Sequence, residues 1–560
     1  MFKFLSLISI LILNLNASDI YDSSYWKLLL HLDASGKSKV IAPDFLLSKD
    51  EPFSPEEELH VTVERLRADD GMQTACRFPA RYRWLKQQLP LPEYDLSQCE
   101  ALQSFVDTFE YDRMSIVFSA EYPNSPSSAF GHVMFIFHAP EQEIELADTV
   151  HFAAHIPDGD GGIAYALRGI TGKYPAYYMR EPFFKKLYEY NILEQRAIHI
   201  YELDYSKAEI QYLIYHLYEL RNSYTPYYFL NQNCATEMLD LISVIEERDI
   251  PGRSYLLPIE VIKHYRDRIV KTTSYQPLLY RIDYLTHRMN EKEKALFYRI
   301  IQTNESPEAG TPDIVKEALA DYYLFSFRKL HRVYKNYDDV MKQTFTPTPV
   351  PVEVKDPLSN PPVNKIGIGA GGKSARLHYR PLFTDFTDRS ANAMQESKLN
   401  ILYTEFVQRD DTLLLERLDL VDVESRLKQF EFFRPVSWSV YSGINRENHA
   451  YETRFDNEIG MGASFKLDGY TSLSAMLKTG ISLSNETAEL YLKPDLELNL
   501  RLPYLQAGAK GIYKQNFKHE YLESNLFIAK SIRDYRLSLN YKASNNSDID
   551  ELYLSLDYAF

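Results

Sequence analysis

Leu552-Tyr553-Leu554-Ser555-Leu556-Asp557-Tyr558-Ala559-Phe560 alternates with a period of two: Leu552, Leu554, Leu556, Tyr558 and Phe560 against Tyr553, Ser555, Asp557 and Ala559. That period puts one greasy and one wet face on a β-strand. Upstream, Leu496-Glu497-Leu498-Asn499-Leu500-Arg501-Leu502 and Arg536-Leu537-Ser538-Leu539-Asn540-Tyr541 read the same way. About ten to twelve such strands fit between 366 and 560. Before them the composition breaks at Thr346-Pro347-Thr348-Pro349-Val350-Pro351 and stays irregular to Pro361-Pro362, so 346–365 reads as an extended linker.

A region of this kind resembles outer-membrane β-barrels, whose closing strand ends in an aromatic residue and whose strands turn one face to lipid and the other to the lumen. A soluble β-sandwich also alternates. The barrel is favoured by the aromatic Phe560, by Glu497, Asn499 and Arg501 on the wet side, and by a secretory signal at 1–17. In that signal Lys3 supplies the positive start, Phe4 to Leu15 the apolar core, and Leu15-Asn16-Ala17 a cleavage site before Ser18. The core is too short to span a membrane as a helix, and no cysteine follows the cleavage site to be lipidated. An even barrel leaves both its ends in the periplasm. The expected location is therefore the outer membrane, with the remaining domains in the periplasm and phospholipid or lipoprotein as partners. A net charge of −16 argues against nucleic acid.

Residues 18–110 read as a helical lead-in domain, in which Ser54-Pro55-Glu56-Glu57-Glu58 gives an N-cap, a proline at the first helical position and an acidic first turn. The pattern then changes to short strands at Ser115–Ser119, Val133–His138, Glu145–Phe152 and Ala197–Leu203. A helix follows at Ser206, burying Ile210, Leu213, Ile214, Leu217 and Leu220. Another carries Met238, Leu241, Ile242 and Ile245, with Cys234 in its first turn. These elements define a domain over 111–258, and 259–345 reads as a helical region. The fold class is α+β followed by an antiparallel β-barrel.

Three cysteines occur in 560 residues. In an oxidising compartment Cys76 and Cys99, near in sequence, are expected to pair, leaving Cys234 as the odd thiol. A buried cysteine can be merely a small hydrophobe. Its place at a helix start argues otherwise, because the dipole and unpaired N–H groups stabilise a thiolate and could also hold an oxyanion. The thiol needs a base. His132, behind Gly131 at the mouth of the apolar run Val133 to Phe137, is the best placed of 14 histidines. His151 on the next strand could fix its tautomer; His138 and His155 are weaker candidates. No metal-ligand spacing occurs, so neither metal nor cofactor is expected. Asp158-Gly159-Asp160-Gly161-Gly162 lacks the length of a calcium loop and reads as a loop over the cleft.

Three motifs in order, Ser125-Pro126-Ser127-Ser128-Ala129-Phe130-Gly131-His132, Gly161-Gly162-Ile163-Ala164-Tyr165-Ala166-Leu167-Arg168-Gly169-Ile170 with Gly172-Lys173-Tyr174-Pro175, and Tyr228-Phe229-Leu230-Asn231-Gln232-Asn233-Cys234, resemble the periplasmic domain of Lnb. Lnb is the lipoprotein N-acyltransferase of Bacteroides-type bacteria. The His-before-Cys order is similar to the permuted papain-like group that holds lecithin:retinol acyltransferase and NlpC/P60 enzymes. The resemblance implies a permuted papain-like fold, Cys234 as acyl-carrying nucleophile and His132 as base. It also implies His151 as orienting residue, where relatives often have Asn, and the motif residues Ser128, Tyr228 and Asn233 as support for substrate or oxyanion. The lead-in around Cys76-Arg77-Phe78-Pro79-Ala80-Arg81-Tyr82 and the β-rich tail resemble a proteobacterial branch, whereas the Bacteroides enzyme carries helical membrane spans instead.

The leading expectation is a periplasmic cysteine acyltransferase that moves a fatty acyl group from phospholipid, through a thioester on Cys234, to an amine such as a lipoprotein N-terminus. The alternatives are a cysteine amidase or peptidase of cell-wall peptides, and a non-enzymatic barrel with a binding module.

Overall fold

The computed structural model describes residues 20–49, 52–122, 129–157, 159–160, 162–229, 231–246, 248, 255–346, 356–359, 362–372, 374–382, 395–409, 411–446, 453–485, 487–502, 504–516, 520–545 and 551–560. The signal at 1–17, most of the proline-rich linker and Ser128 lie outside the described residues. The chain divides into two compact units, one ending at Tyr275 and one beginning at Gln276, with the short stretches 121–125 and 195–197 grouped with the second.

The first unit begins with helices Ser24–Leu29, Pro55–Arg67, Gly71–Arg77, Pro79–Gln88 and Glu100–Val106. Ser54 caps the second of these, accepting from the Glu57 N–H. Cys76 and Cys99 form a disulfide. A seven-stranded sheet follows: β1 (Arg113–Ser119), β2 (His132–His138), β3 (Asp148–Ala154), β4 (Tyr174–Pro182), β5 (Ile198–Leu203), β6 (Thr225–Tyr227) and β7 (Ile269–Tyr275), in spatial order β6-β4-β3-β2-β1-β5-β7. Every neighbouring pair is antiparallel. β2 is buried along its whole length, as its unbroken apolar run requires of a central strand covered on both faces.

Three strands depart from the sequence reading. β4 and β6 were not expected, and β7 falls in the stretch 259–345 expected to be helical; it is a mostly exposed edge strand whose Ile269-Val270-Lys271-Thr272-Thr273 has β-branched residues but no apolar alternation. Glu145 sits in a short 3₁₀ turn, Ile144–Leu146, so β3 begins only at Asp148.

Alternation assigns the two faces of the sheet. Val117, Met134, Ile136, Ile198 and Ile200 pack with Phe183 and Tyr190 from the helix Phe183–Leu193, the last part of which is wound as a π-helix. The opposite face carries Phe152 and Tyr178, in ring contact at 5.1 Å, and the Tyr178 hydroxyl donates to the Glu237 carbonyl of the helix Cys234–Ser243.

A buried polar network ties the lead-in helices to this second face. The Lys39 ammonium bridges Glu237 Oε1 at 2.8 Å and Asp240 Oδ2 at 2.5 Å. His31 and His216 stack with their Nε2 atoms 2.9 Å apart. Arg81 lies 3.2 Å from Glu58 Oε1 and 3.7 Å from Glu219 Oε2, and Glu219 Oε1 also accepts from the Ala80 and Arg81 N–H groups.

The second unit contains helices Leu278–Arg288, Glu291–Thr303 and Asp313–Lys329 and a closed barrel. Its strands are β8 (Lys365–Gly371), β9 (Ser374–Arg380), β10 (Gln395–Arg409), β11 (Thr412–Leu427), β12 (Ser437–Asn445) and β13 (Arg454–Lys466). They continue as β14 (Thr471–Leu483), β15 (Ala488–Arg501), β16 (Gln506–Asn516), β17 (Glu520–Ile532), β18 (Tyr535–Ser544) and β19 (Glu551–Ala559). β19 pairs with β8 to close a ring of twelve, the upper end of the expected count.

On β19 the predicted faces are inside out relative to a soluble sandwich: Leu552, Leu554, Leu556 and Tyr558 point outward at 41–55% exposure, while Ser555 and Asp557 are buried in the lumen. Leu490, Leu496, Leu526 and Leu539 are likewise exposed. Only a lipid solvent makes such an exterior favourable. Phe560 N–H donates to Asn364 O, so the barrel begins and ends on one rim. The turn after β11 lies on that rim too and is gripped by the helices: Lys428 pairs with Asp283 at 2.8 Å, Tyr298 donates to Glu431, and Phe433 meets Phe325 edge-on.

Candidate functional site

Cys234 is the first residue of its helix, buried, and not part of a disulfide. Asn233 caps the helix: its Oδ1 accepts from the Ala235 N–H at 2.8 Å and the Thr236 N–H at 3.2 Å, while Thr236 Oγ1 accepts from the Asn233 N–H. Its Nδ2 donates to the carbonyls of Phe229 and Leu256, both at 3.2 Å. Asn233 therefore uses both ends of its amide to build the helix start, and those two N–H groups are taken by the cap. The Tyr227 hydroxyl meets both the backbone and the thiol of Cys234. Burial first, and then the neighbouring Cys234, push this phenol well above its usual value of 10. A protonated Tyr227 can donate to a thiolate at the helix start.

The loop before Cys234 is fixed by two glycines of the middle motif. A Cβ on Gly169 would stand 2.0 Å from the Phe229 ring, and one on Gly172, at φ +68°, would stand 2.2 Å from the Tyr228 ring. Phe229 N–H donates to Gly169 O, and Tyr228 pairs with Gln232 across the turn. Tyr228 is thus a packing residue of the loop that delivers Cys234. Asp160, in the loop between these motifs, accepts from Arg168 at 2.6 Å and from Tyr174 at 2.5 Å.

His132 opens β2 opposite Ser119, directly after Gly131 at φ +98°. Its ring lies 5.7 Å from that of Tyr190 and 6.1 Å, edge-on, from that of His151. His151 is buried and its Nε2 donates to Glu181 Oε1 at 2.8 Å; Lys186 reaches the same oxygen at 3.0 Å. Burial lowers the His151 pKa against the pull of Glu181. The hydrogen bond from His151, with Lys186 in support, lowers the Glu181 carboxyl to about 2. A neutral His151 that donates through Nε2 turns an Nδ1 lone pair into the interior, where it has no hydrogen-bond partner among the described residues. Glu181, Lys186 and Tyr190 were not anticipated; the charged pair Arg180-Glu181 before Pro182 hid β4.

The two expected histidines are therefore brought together, on the face of Tyr190 and Phe183. The Cys234 helix rests on the other face, against β2 and β3, through Tyr178 and Phe152. His138 lies at the far end of β2, beside Ala139 O, and His155 beyond the end of β3.

Among the described residues, one His/Asp/Glu cluster has its ligand atoms close enough for a metal, His31 with Glu237 and Asp240. Its two carboxylates already hold the Lys39 ammonium.

Residues 101–266 match the Lnb N-terminal periplasmic domain. Residues 364–558 and 18–88 match two domain families of unknown function, DUF7840 and DUF7843. No curated protein matches the chain. Among solved structures it is similar to the KdgM porin, at 9% identity over 35% of this chain and 98% of that one with a TM-score of 0.23. The NanC porin gives 8%, 35%, 98% and 0.23, and the outer-membrane protein OmpT of Vibrio cholerae 7%, 35%, 96% and 0.18. The chain thus joins a region that matches the Lnb N-terminal periplasmic domain to a twelve-stranded β-barrel of the outer membrane.

Proposed function

We propose that the first unit is a cysteine-dependent acyltransferase. The Cys234 thiolate attacks the ester carbonyl of a phospholipid, forming a thioester and releasing a lysophospholipid whose alkoxide takes up a proton. An amine, such as the N-terminus of a lipoprotein, then attacks the thioester, loses its proton and frees the thiol. The observation that carries this reading is the buried Cys234, outside any disulfide, at the first position of a capped helix, with the Tyr227 hydroxyl at its backbone and sulfur, in a chain that is tethered by a barrel to lipid. Tyr227 supports the thiolate. His132, whose ring packs edge-on against that of His151, is the group proposed to carry protons. It reaches sulfur only if the segment at Gly131 turns His132 across the mouth of β2.

The placement of His132 and the Cys234 helix on opposite sheet faces favours a second reading, a binding module without turnover. One experiment separates the two. Purified full-length protein is incubated with phospholipid vesicles, and the peptide bearing Cys234 is weighed by mass spectrometry. An added acyl mass, lost in Cys234→Ser and accumulating when no amine acceptor is supplied, supports the transferase. Absence of any adduct, together with unchanged lipoprotein acylation in Cys234→Ser cells, rejects it in favour of the binding module. Release of cell-wall peptides instead, abolished in Cys234→Ser, would make the enzyme an amidase.

A further inference from the structure

We infer that the barrel is a sealed membrane anchor, its lumen shut by a charge-balanced belt around Arg426, and that it passes no solute. The belt is a set of chords across the ring, not a ladder along its wall. Arg426 on β11 donates through Nη2 to Glu497 on β15 at 2.7 Å, four strands away, and through Nε to Glu424 on its own strand at 2.6 Å. Lys478 on β14 reaches Glu424, three strands away, at 2.9 Å, and Asp495 on β15 at 2.9 Å. Lys510 on β16 closes the set against Glu497 at 3.2 Å and Asp495 at 3.7 Å.

The strands between these partners are kept thin to let the chords pass. Glu424, Ser439, Gly460 and Lys478 lie in register on β11, β12, β13 and β14. A Cβ on Gly460 would stand 2.6 Å from Lys478 Cγ and 2.5 Å from Ser439 Oγ, so the lysine stem lies directly over the glycine on its way to Glu424. A second tier repeats the design, with Lys493 on β15 meeting Glu458 on β13 at 2.5 Å and Lys514 on β16 meeting Asp456 on β13 at 3.4 Å.

Water reaches the belt only at Lys510, whose side chain is 24% exposed. Arg426 is 1% exposed, Glu424 2%, Asp495 5%, Lys478 6% and Glu497 9%, whereas a lumen wide enough to conduct would wet the groups that line it. Three cations face three carboxylates, so the constriction holds no surplus charge with which to draw an ion of either sign. A buried set of this kind holds together because removing one member strands another charge in a dry interior.

The test is electrical. Full-length protein is inserted into planar lipid bilayers, with folding of each sample verified by the faster gel migration of an unheated barrel. Wild type is expected to give no current steps, and Arg426→Ala/Lys478→Ala to give resolvable ones because two long side chains leave the constriction. Should the double variant fail to fold, Lys478→Ala and Arg426→Ala are read singly. Regular current steps from wild type would overturn the inference, as would folded alanine variants as silent as wild type.

Discussion

Replacing Asn233 by alanine removes more than a helix cap. The cap itself, two N–H groups accepted by Oδ1, is worth about 1–2 kcal/mol. The carbonyls of Phe229 and Leu256 also lose the Nδ2 donor, at about 1 kcal/mol each. The sum is about 3–4 kcal/mol in a side chain only 5% exposed. For a unit of this size that lowers the melting temperature by roughly 6–16 °C. Trp26 and Trp84, stacked at 5.9 Å in the same unit, give a fluorescence signal for its unfolding. Asn233→Asp separates the components: the acceptor survives, but both donations vanish and a carboxylate oxygen faces two carbonyls, so at least half of the loss should remain. A shift below about 1 °C in the alanine variant, or an aspartate variant as stable as wild type, would refute the dual role of the amide.

Gly131→Ala forces a side chain into φ +98° with its Cβ 2.5 Å from the Phe118 ring and 2.8 Å from Ser119 O; a loss of about 2–3 kcal/mol in chemical denaturation is expected, together with reduced activity because His132 follows directly. Opening the Cys76–Cys99 link, 23 residues apart in sequence, should lower the denaturation midpoint by about 3 kcal/mol equivalent, measured with and without reductant. Glu181, held at about 2 by His151 and Lys186, has its carboxyl depressed by folding. Its stabilisation is therefore present above the ordinary carboxyl range and lost as pH falls through about 2. The stability gap between wild type and Glu181→Gln should be constant near neutrality and close between about pH 4.5 and 2, as followed by denaturation at stepped pH.

Periodicity made the barrel legible, because on β19 every second residue keeps the face that its polarity demands. It also placed Cys234 correctly in the first turn of a helix, since Met238, Leu241 and Ile242 define the buried stripe. Periodicity is blind to the side of the sheet on which a helix is laid. That side is decided by how the chain crosses from β6 to the helix, and nothing in Tyr228–Cys234 encodes it locally. The pairing of His132 with His151 rests on the register Met134 to His151, another long-range quantity. β7 escaped because an edge strand with half-wet faces has no apolar rhythm to detect.

The network of Lys39, Arg81 and His31 has a consequence for where the molecule can be cut. A fragment beginning at residue 111 would retain Glu219 and Glu237, each fully buried, while discarding the cations that meet them. Carboxylates stripped in this way cost several kcal/mol apiece, enough to unfold the helices that carry them. The lead-in is thus an internal counter-ion for the fold around Cys234, and the two can be inherited, expressed or lost only together.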